Sequence, residues 1–318
     1  MRESTDMGEN AMPSYHPESE KKEVVDARRA FRKQLNQQAR QAVSDSIHQH
    51  IKQIVHRPDY TNDQIREYEQ LRREMKQIVY EIARKTAPLL KHEESIINAK
   101  RKYYGTKFQA ETVVFQDFKY FARKKPPTEA PSLVVALRVD ESASMAAFGR
   151  LESAKRAALA VYEFCLLLDI PLLIYGDTAD VSKLEQMSIY SYTDFEQSSP
   201  EDAYRLMNIQ ARSNNRDGMA LRVLSERLVA CPQQTKLVIS ISDGQPKAMP
   251  DYTGNKATAD MQNTITYYER KGITFLAAAI GQDKEIIQHI YGAERFLDMT
   301  DLQRFPTQLV RMIARYIR

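Results

Sequence analysis

The chain has 318 residues, 42% hydrophobic and 28% charged, an ordinary globular composition with length for one large domain or two smaller ones. A net charge of +4 is too small to imply a nucleic-acid partner, and no stretch approaches the roughly 18 apolar residues that span a bilayer, so neither nucleic acid nor membrane is expected. Residues 1–130 carry 25 Lys and Arg against 19 Asp and Glu, the remainder 21 against 23. The basic excess, around 100–107 and 122–127, reads either as a solvated helical surface or as a docking surface for an acidic partner.

In chain order, residues 1–20 lack hydrophobic periodicity and are expected to be a disordered tail. They hold no apolar signal-type segment, which makes cytoplasm the expected location. Residues 21–125 read as a helical region. One helix is expected over about 21–55. A second should be capped by Asn62 or Asp63 and run to about Tyr103 with a break near Pro88. The two are expected to pair as a hairpin or to pack on a neighbour. Residues 126–132, within the Pro-rich run RKKPPTEAPS, form the expected linker.

From 133 to 318 apolar runs alternate with amphipathic helices. Strands are expected at 133–139, 171–176, 184–192, 236–242, 273–281 and in the short RFLDM, with helices between them. This pattern is that of an α/β fold with a mainly parallel sheet covered on both faces, and in such sheets ligands bind beyond the carboxyl ends of strands. Cys165 and Cys231 sit in apolar surroundings without a pairing pattern and are expected to be reduced core residues.

Two strands end in acidic loops. The first ends in Asp140, Ser142 and Ser144 in strict alternation, the fourth in SDGQP with Asp243. Between them the turn NNRDG opens a helix and offers Asn215 and Asp217. In a parallel sheet all three loops share one edge. Ser142 and Asp140 alone could simply cap a helix, and Asp243 alone could form a turn before Gly244. Together they supply only oxygen atoms, which suits a hard cation: Mg²⁺, or Mn²⁺ or Ca²⁺ in its place. Glu141 is expected to point into solvent and Asp177 to sit in a plain turn. His48 and His50 stand two apart on an expected helix, a spacing that separates their rings. Tyr103/Tyr104 and Tyr267/Tyr268 read as packing. No histidine lies in these loops to serve Ser142 or Ser144 as a base, the dehalogenase-type second Asp is replaced by Ser142, and no GxxxxGK[ST] is present.

At these residues the chain resembles the von Willebrand factor A-type domain, a Rossmann-like fold. DxSxS at Asp140, Ser142 and Ser144 matches the first element of that family's metal-ion-dependent adhesion site, and Asp243 of ISDGQP matches the last. The middle element, a threonine in most members, falls at Asn215, with Asp217 close by; Ala143 replaces a customary glycine. NRDG with DESxSM and ISDGxP, and the flanking YYGTKF…FARKKPP and RFLDM, resemble the branch containing the cobaltochelatase CobT subunit and the nitric oxide reductase activation protein NorD. The resemblance implies a non-catalytic, metal-dependent protein-binding module working beside a MoxR-like or chelatase-type AAA+ ATPase in metalloenzyme maturation or cofactor insertion. An acidic side chain of a partner would complete the shell of the ion. The other reading it implies is a CobT-like subunit of a cobalt or magnesium chelatase.

Overall fold

The computed structural model describes residues 17–91, 98–102, 107–108, 110–115, 118–124, 133–280, 284–298, 301 and 303–316. The expected linker at 126–132, Tyr103 and Tyr104, and all but the last four residues of the expected tail lie outside these. In chain order the elements are α1 (Pro17–Ala42), β1 (Gln53–His56), α2 (Asn62–Lys91), β2 (Asn98–Lys102), β3 (Lys107–Phe108), β4 (Phe121–Lys124), β5 (Leu133–Asp140), α3 (Arg150–Leu167), β6 (Leu172–Ala179) and β7 (Met187–Thr193). They continue with α4 (Asp202–Arg205), α5 (Asp217–Val229), β8 (Thr235–Ser242), α6 (Gly254–Glu269), β9 (Ile273–Ala279), α7 (Lys284–Tyr291), β10 (Phe296–Asp298) and α8 (Phe305–Arg315).

The main sheet has seven strands in the order β1-β7-β6-β5-β8-β9-β10. β6, β5, β8, β9 and β10 run parallel; β7 is antiparallel to β6, and β1 is parallel to β7. The expected mainly parallel, Rossmann-like α/β architecture is present. Every residue of β5 is buried, as a central strand covered on both faces must be. Alternate β5 residues face opposite layers. Leu133, Val135, Leu137 and Val139 join the layer of α2, α3 and α8. Val134 and Ala136 join that of α1, α5, α6 and α7. Arg138 and Asp140 continue the second series, so they lie on the α5 side.

The N-terminal region departs from its expected form. α1 stops at Ala42, where Ser44 and Ser46 turn their hydroxyls back onto the carbonyl oxygens of Gln41 and Val43, at 2.9 and 2.7 Å. This local competition for backbone partners ends helices. Residues 53–55, expected within the helix, form β1 together with His56 at the sheet edge. Asn36 of α1 covers that edge: its Nδ2 donates to the Val55 carbonyl at 3.0 Å and its Oδ1 accepts from Val55 N at 2.9 Å. An amide that mimics a strand partner in this way protects an open edge.

The two long helices do not form a hairpin. α1 buries Phe31, Leu35, Ala39 and Val43 on one face of the sheet, while α2 buries Tyr68, Leu71, Met75, Val79 and Ala83 on the other. Both series follow helical spacing, and each buried Leu contributes about 1.5–3 kcal/mol. The region expected to be helical thus adds a strand and a helix on each face to the sheet domain. The cap of α2 is Thr61 rather than Asn62 or Asp63: Gln64 N donates to Thr61 Oγ1 at 3.3 Å and Thr61 N to Gln64 Oε1 at 2.9 Å, a reciprocal capping box. α2 passes through Pro88 and ends at Lys91. A small antiparallel sheet, β2-β4-β3, replaces helix in the segment before the linker.

His48 lies in the turn after α1, not on a helix. Its buried Nε2 is 2.9 Å from Asp260 Oδ2 of α6, which ties this turn to the α5–α6 layer. Burial holds the imidazole below its usual pKa. His50 is exposed. Both cysteines are free, Cys165 buried and Cys231 partly so. Tyr267 and Tyr268 meet edge to face at 4.9 Å. Among the described residues, no helix is long and apolar enough to cross a membrane.

Candidate metal centre

The loops after β5 and β8 and the turn before α5 meet at the carboxyl edge of the sheet, beside the point where the chain moves from β6 and β7 on one side of β5 to β8 on the other. Such a switch point opens a crevice. Asp140, at the end of β5, is fully buried. Its Oδ1 accepts from Ser142 N at 2.8 Å, and its Oδ2 accepts from Asn215 Nδ2 at 2.9 Å and Ser242 Oγ at 2.8 Å. Ser142 is extended, and 3-10 turns interrupted by a kink at Ala147 and Phe148 follow it. The extended turn lets Ser142 and Ser144 face one way: their hydroxyl oxygens are 3.0 Å apart, and Ser144 Oγ donates to Asp243 Oδ1 at 2.8 Å. Arg150 Nη1 donates to Asp243 Oδ2 at 2.7 Å. Burial, then the neighbouring Asp140 charge, pushes the Asp243 carboxyl above its usual pKa. Ala143 is not among the residues with positive φ, so its methyl costs the loop no backbone strain.

Asn215 and Asp217 part company. Asn215 turns to Asp140, and its Oδ1 accepts from Lys247 N at 2.9 Å, which clips the NNRDG turn to the loop after β8. Asp217, at the head of α5, accepts from Arg138 Nη2 at 2.7 Å. Arg138 also grips Asp177 with Nε and Nη2 at 2.6 and 2.9 Å and donates to Ser240 Oγ at 3.0 Å. This guanidinium is completely buried. Burial first, then the nearby Asp140 charge, raises the pKa of both carboxyls, while Arg138 pulls them back.

Two expectations are corrected here. Asp177 is not in a turn: it belongs to β6, aligned with Asp140 of β5, and is buried by its ion pair. Glu141 does not reach solvent. It is fully buried, accepting from Arg212 Nε at 2.8 Å and from the Tyr192 hydroxyl. The space it occupies exists because residue 176 is glycine; a Cβ there would lie 1.7 Å from Glu141 Oε1. Burial pushes this carboxyl up to about 7 against the pull of Tyr192 and Arg212.

Arg138 and Ser242 belong to the arrangement but were not singled out in the sequence. A charged residue within the apolar run LVVALRV was the available signal for Arg138, since a buried cation requires partners. Ser240 and Ser242 alternate along β8 toward Asp243, as Ser142 and Ser144 do after Asp140.

The donor set is two carboxylates, three hydroxyls and an amide, without Cys or His. Among the described residues no group of three or more His, Cys, Asp or Glu side chains could hold a metal, so hydroxyl oxygens would have to complete any shell here. A hard cation that accepts hydroxyl and carboxylate oxygen fits this donor set; Asp140, Ser142, Ser144 and Asp243 would hold it, with Asn215 beside them.

No family model matches the chain. Over 208 residues it is 26% identical to the uncharacterized protein YojO of Bacillus subtilis (strain 168), a match covering 62% of this chain and 32% of that protein. It is 24% identical over 198 residues to protein NorD of Brucella suis biovar 1 (strain 1330), covering 58% of this chain and 30% of NorD. The chain therefore spans about a third of the length of the curated relatives it matches. Among solved structures, a von Willebrand factor type A protein from Catenulispora acidiphila aligns with a TM-score of 0.43 and 15% identity, over 62% of this chain and 44% of that one.

Proposed function

We propose that this von Willebrand A-type, NorD-like chain is a non-catalytic accessory module that binds a partner protein through a divalent hard cation, Mg²⁺ first among them. The observation that carries this reading is the convergence of Asp140, Ser142, Ser144 and Asp243 oxygens from two strand ends, with Asn215 and Ser242 anchoring Asp140. Arg138 is shared by Asp177 and Asp217 beneath the cluster. That leaves Asp140 and Asp243 as the carboxylates facing the crevice, a suitable charge for one divalent ion.

A bound cation supplies positive charge at the sheet edge, and a carboxylate from a partner is the complementary group. Glu141, the buried acid between Asp140 and Ser142, faces Tyr192 and Arg212 rather than the cluster. The motif resemblance brings a MoxR-like AAA+ ATPase into the proposal as the partner, and maturation of a metalloenzyme or its cofactor as the task.

Calorimetric titration with Mg²⁺ tests the ion, and capture of the ATPase with and without EDTA tests its use. Wild type should bind one ion, and Asp243→Ala should lose both ion binding and capture. Capture that survives EDTA and Asp243→Ala alike would sink the proposal.

A further inference from the structure

A second charged concavity lies away from the metal centre. Five arginines line it: Arg28, Arg29 and Arg32 of α1, Arg57 just after β1, and Arg205 at the end of α4. Register separates it from the cluster. Gln53, at the start of β1, aligns with Met187, which aligns with Ala179 at the carboxyl end of β6. Arg57 follows the opposite end of β1, three strands out from β5.

The concavity has a floor and a rim. Arg57 and Arg205 form the floor, their side chains 8% and 4% exposed. Both lean on one buried carboxylate, Asp202. Arg57 Nη2 reaches its two oxygens at 2.8 and 2.9 Å, and Arg205 Nε reaches Oδ1 at 3.1 Å. Backbone carbonyls of Gln197 and Pro58 take up further N–H groups. Arg28, Arg29 and Arg32 form the rim. They share a face of α1 because they stand three and four apart. Arg29 and Arg32 have no ion-pair partner among the described residues, and Arg28 has only Asp59, 3.8 Å away and 85% exposed. Five guanidiniums thus face two carboxylates, Asp59 and Asp202.

Cations crowded in this way repel one another unless an anion joins them. Guanidinium forks match the oxygens of phosphate groups two at a time. The cavity volume of about 230 Å³ is below the roughly 300–1,000 Å³ of sites for larger organic ligands. Among the described residues its only aliphatic lining residue is Val25, so an acyl chain gains little apolar contact. We infer that this concavity binds a small condensed phosphate, a diphosphate group held between the α1 rim and the Arg57–Arg205 floor.

The test is calorimetric titration of the full chain with inorganic pyrophosphate in Mg²⁺-free buffer at physiological ionic strength, with ADP and citrate as parallel titrants. Pyrophosphate should bind with a stoichiometry of one. Arg29→Gln and Arg32→Gln, exposed and without an ion-pair partner among the described residues, should leave the melting temperature intact and each weaken binding by about tenfold or more. ADP no tighter than pyrophosphate identifies a free diphosphate as the source; tighter ADP identifies a nucleoside diphosphate. Citrate binding as tightly as pyrophosphate, or affinities unmoved by both substitutions, would overturn the inference.

Discussion

Arg138 Nη2 and Asp217 Oδ1 are 2.7 Å apart, and this contact separates the two residues that the NNRDG turn offers to the oxygen cluster. Asp217 is held down against β5 by a cation that rises from the same strand as Asp140, two residues earlier. Asn215, free of that cation, turns its amide to Asp140. The ion pair beneath the site therefore shapes the donor set above it.

Arg138→Met should destabilise the fold by about 3–5 kcal/mol, because it leaves the Asp177 and Asp217 carboxylates buried without their cation. Adding Asp177→Asn and Asp217→Asn to that change should recover much of the loss. Urea unfolding of the single and triple variants checks both. An Arg138→Met chain as stable as wild type would show that solvent reaches these carboxylates.

The middle position of the candidate site can be assigned by ion affinity. Asn215→Ala removes the amide that orients Asp140 and should weaken Mg²⁺ binding about tenfold, as loss of an orienting partner does. Asp217→Asn should lower stability while leaving Mg²⁺ affinity unchanged. Calorimetry on the two variants decides, and the reverse ranking would make Asp217 the residue that faces the ion.

Arg150 competes with any ion for Asp243, donating to its Oδ2 at 2.7 Å while stacking on the exposed Phe148 ring. Removing that competitor should help a divalent cation. Arg150→Gln is expected to strengthen Mg²⁺ binding several-fold, most clearly at low ionic strength, where the competition is least screened. Weaker binding would mean that Arg150 orients Asp243 for the ion rather than opposing it.

Glu141 gives a pH signature. Its carboxyl has an ordinary pKa of 4.5 and is pushed up to about 7 in the fold by burial. The folded state thus binds this proton more tightly than the unfolded chain. The stabilisation from Glu141 is fully present below about pH 4.5 and is lost as pH rises to about 7. Glu141→Gln should remove that decline. Between pH 5 and 8 wild type should lose about 1–3 kcal/mol more than the variant, read from urea midpoints. Parallel pH profiles for the two chains would show Glu141 ionised throughout.

The alternation of apolar runs with helices from residue 133 onward was sufficient to read the sheet, because strands buried on both faces must be continuously apolar. The spacing of Asp140, Ser142 and Ser144, and Asp243 after an apolar strand, was sufficient to place them at one edge, because parallel strands end on the same side. What a linear reading could not contain was the partner of each polar group. The helical spacing of the preceding residues carried the expected helix over β1, whose strand conformation comes from pairing with β7 some 130 residues away. Glu141 looked solvated until Gly176, Tyr192 and Arg212 closed around it. Asp217 stood beside Asn215 as a second candidate, and its pairing with Arg138 could not be read from the chain. The sequence alone determined the periodicities and the choice of oxygen donors. Only the tertiary structure decided which carboxylates face the crevice, since that depends on which buried cations the packing brings within hydrogen-bond reach.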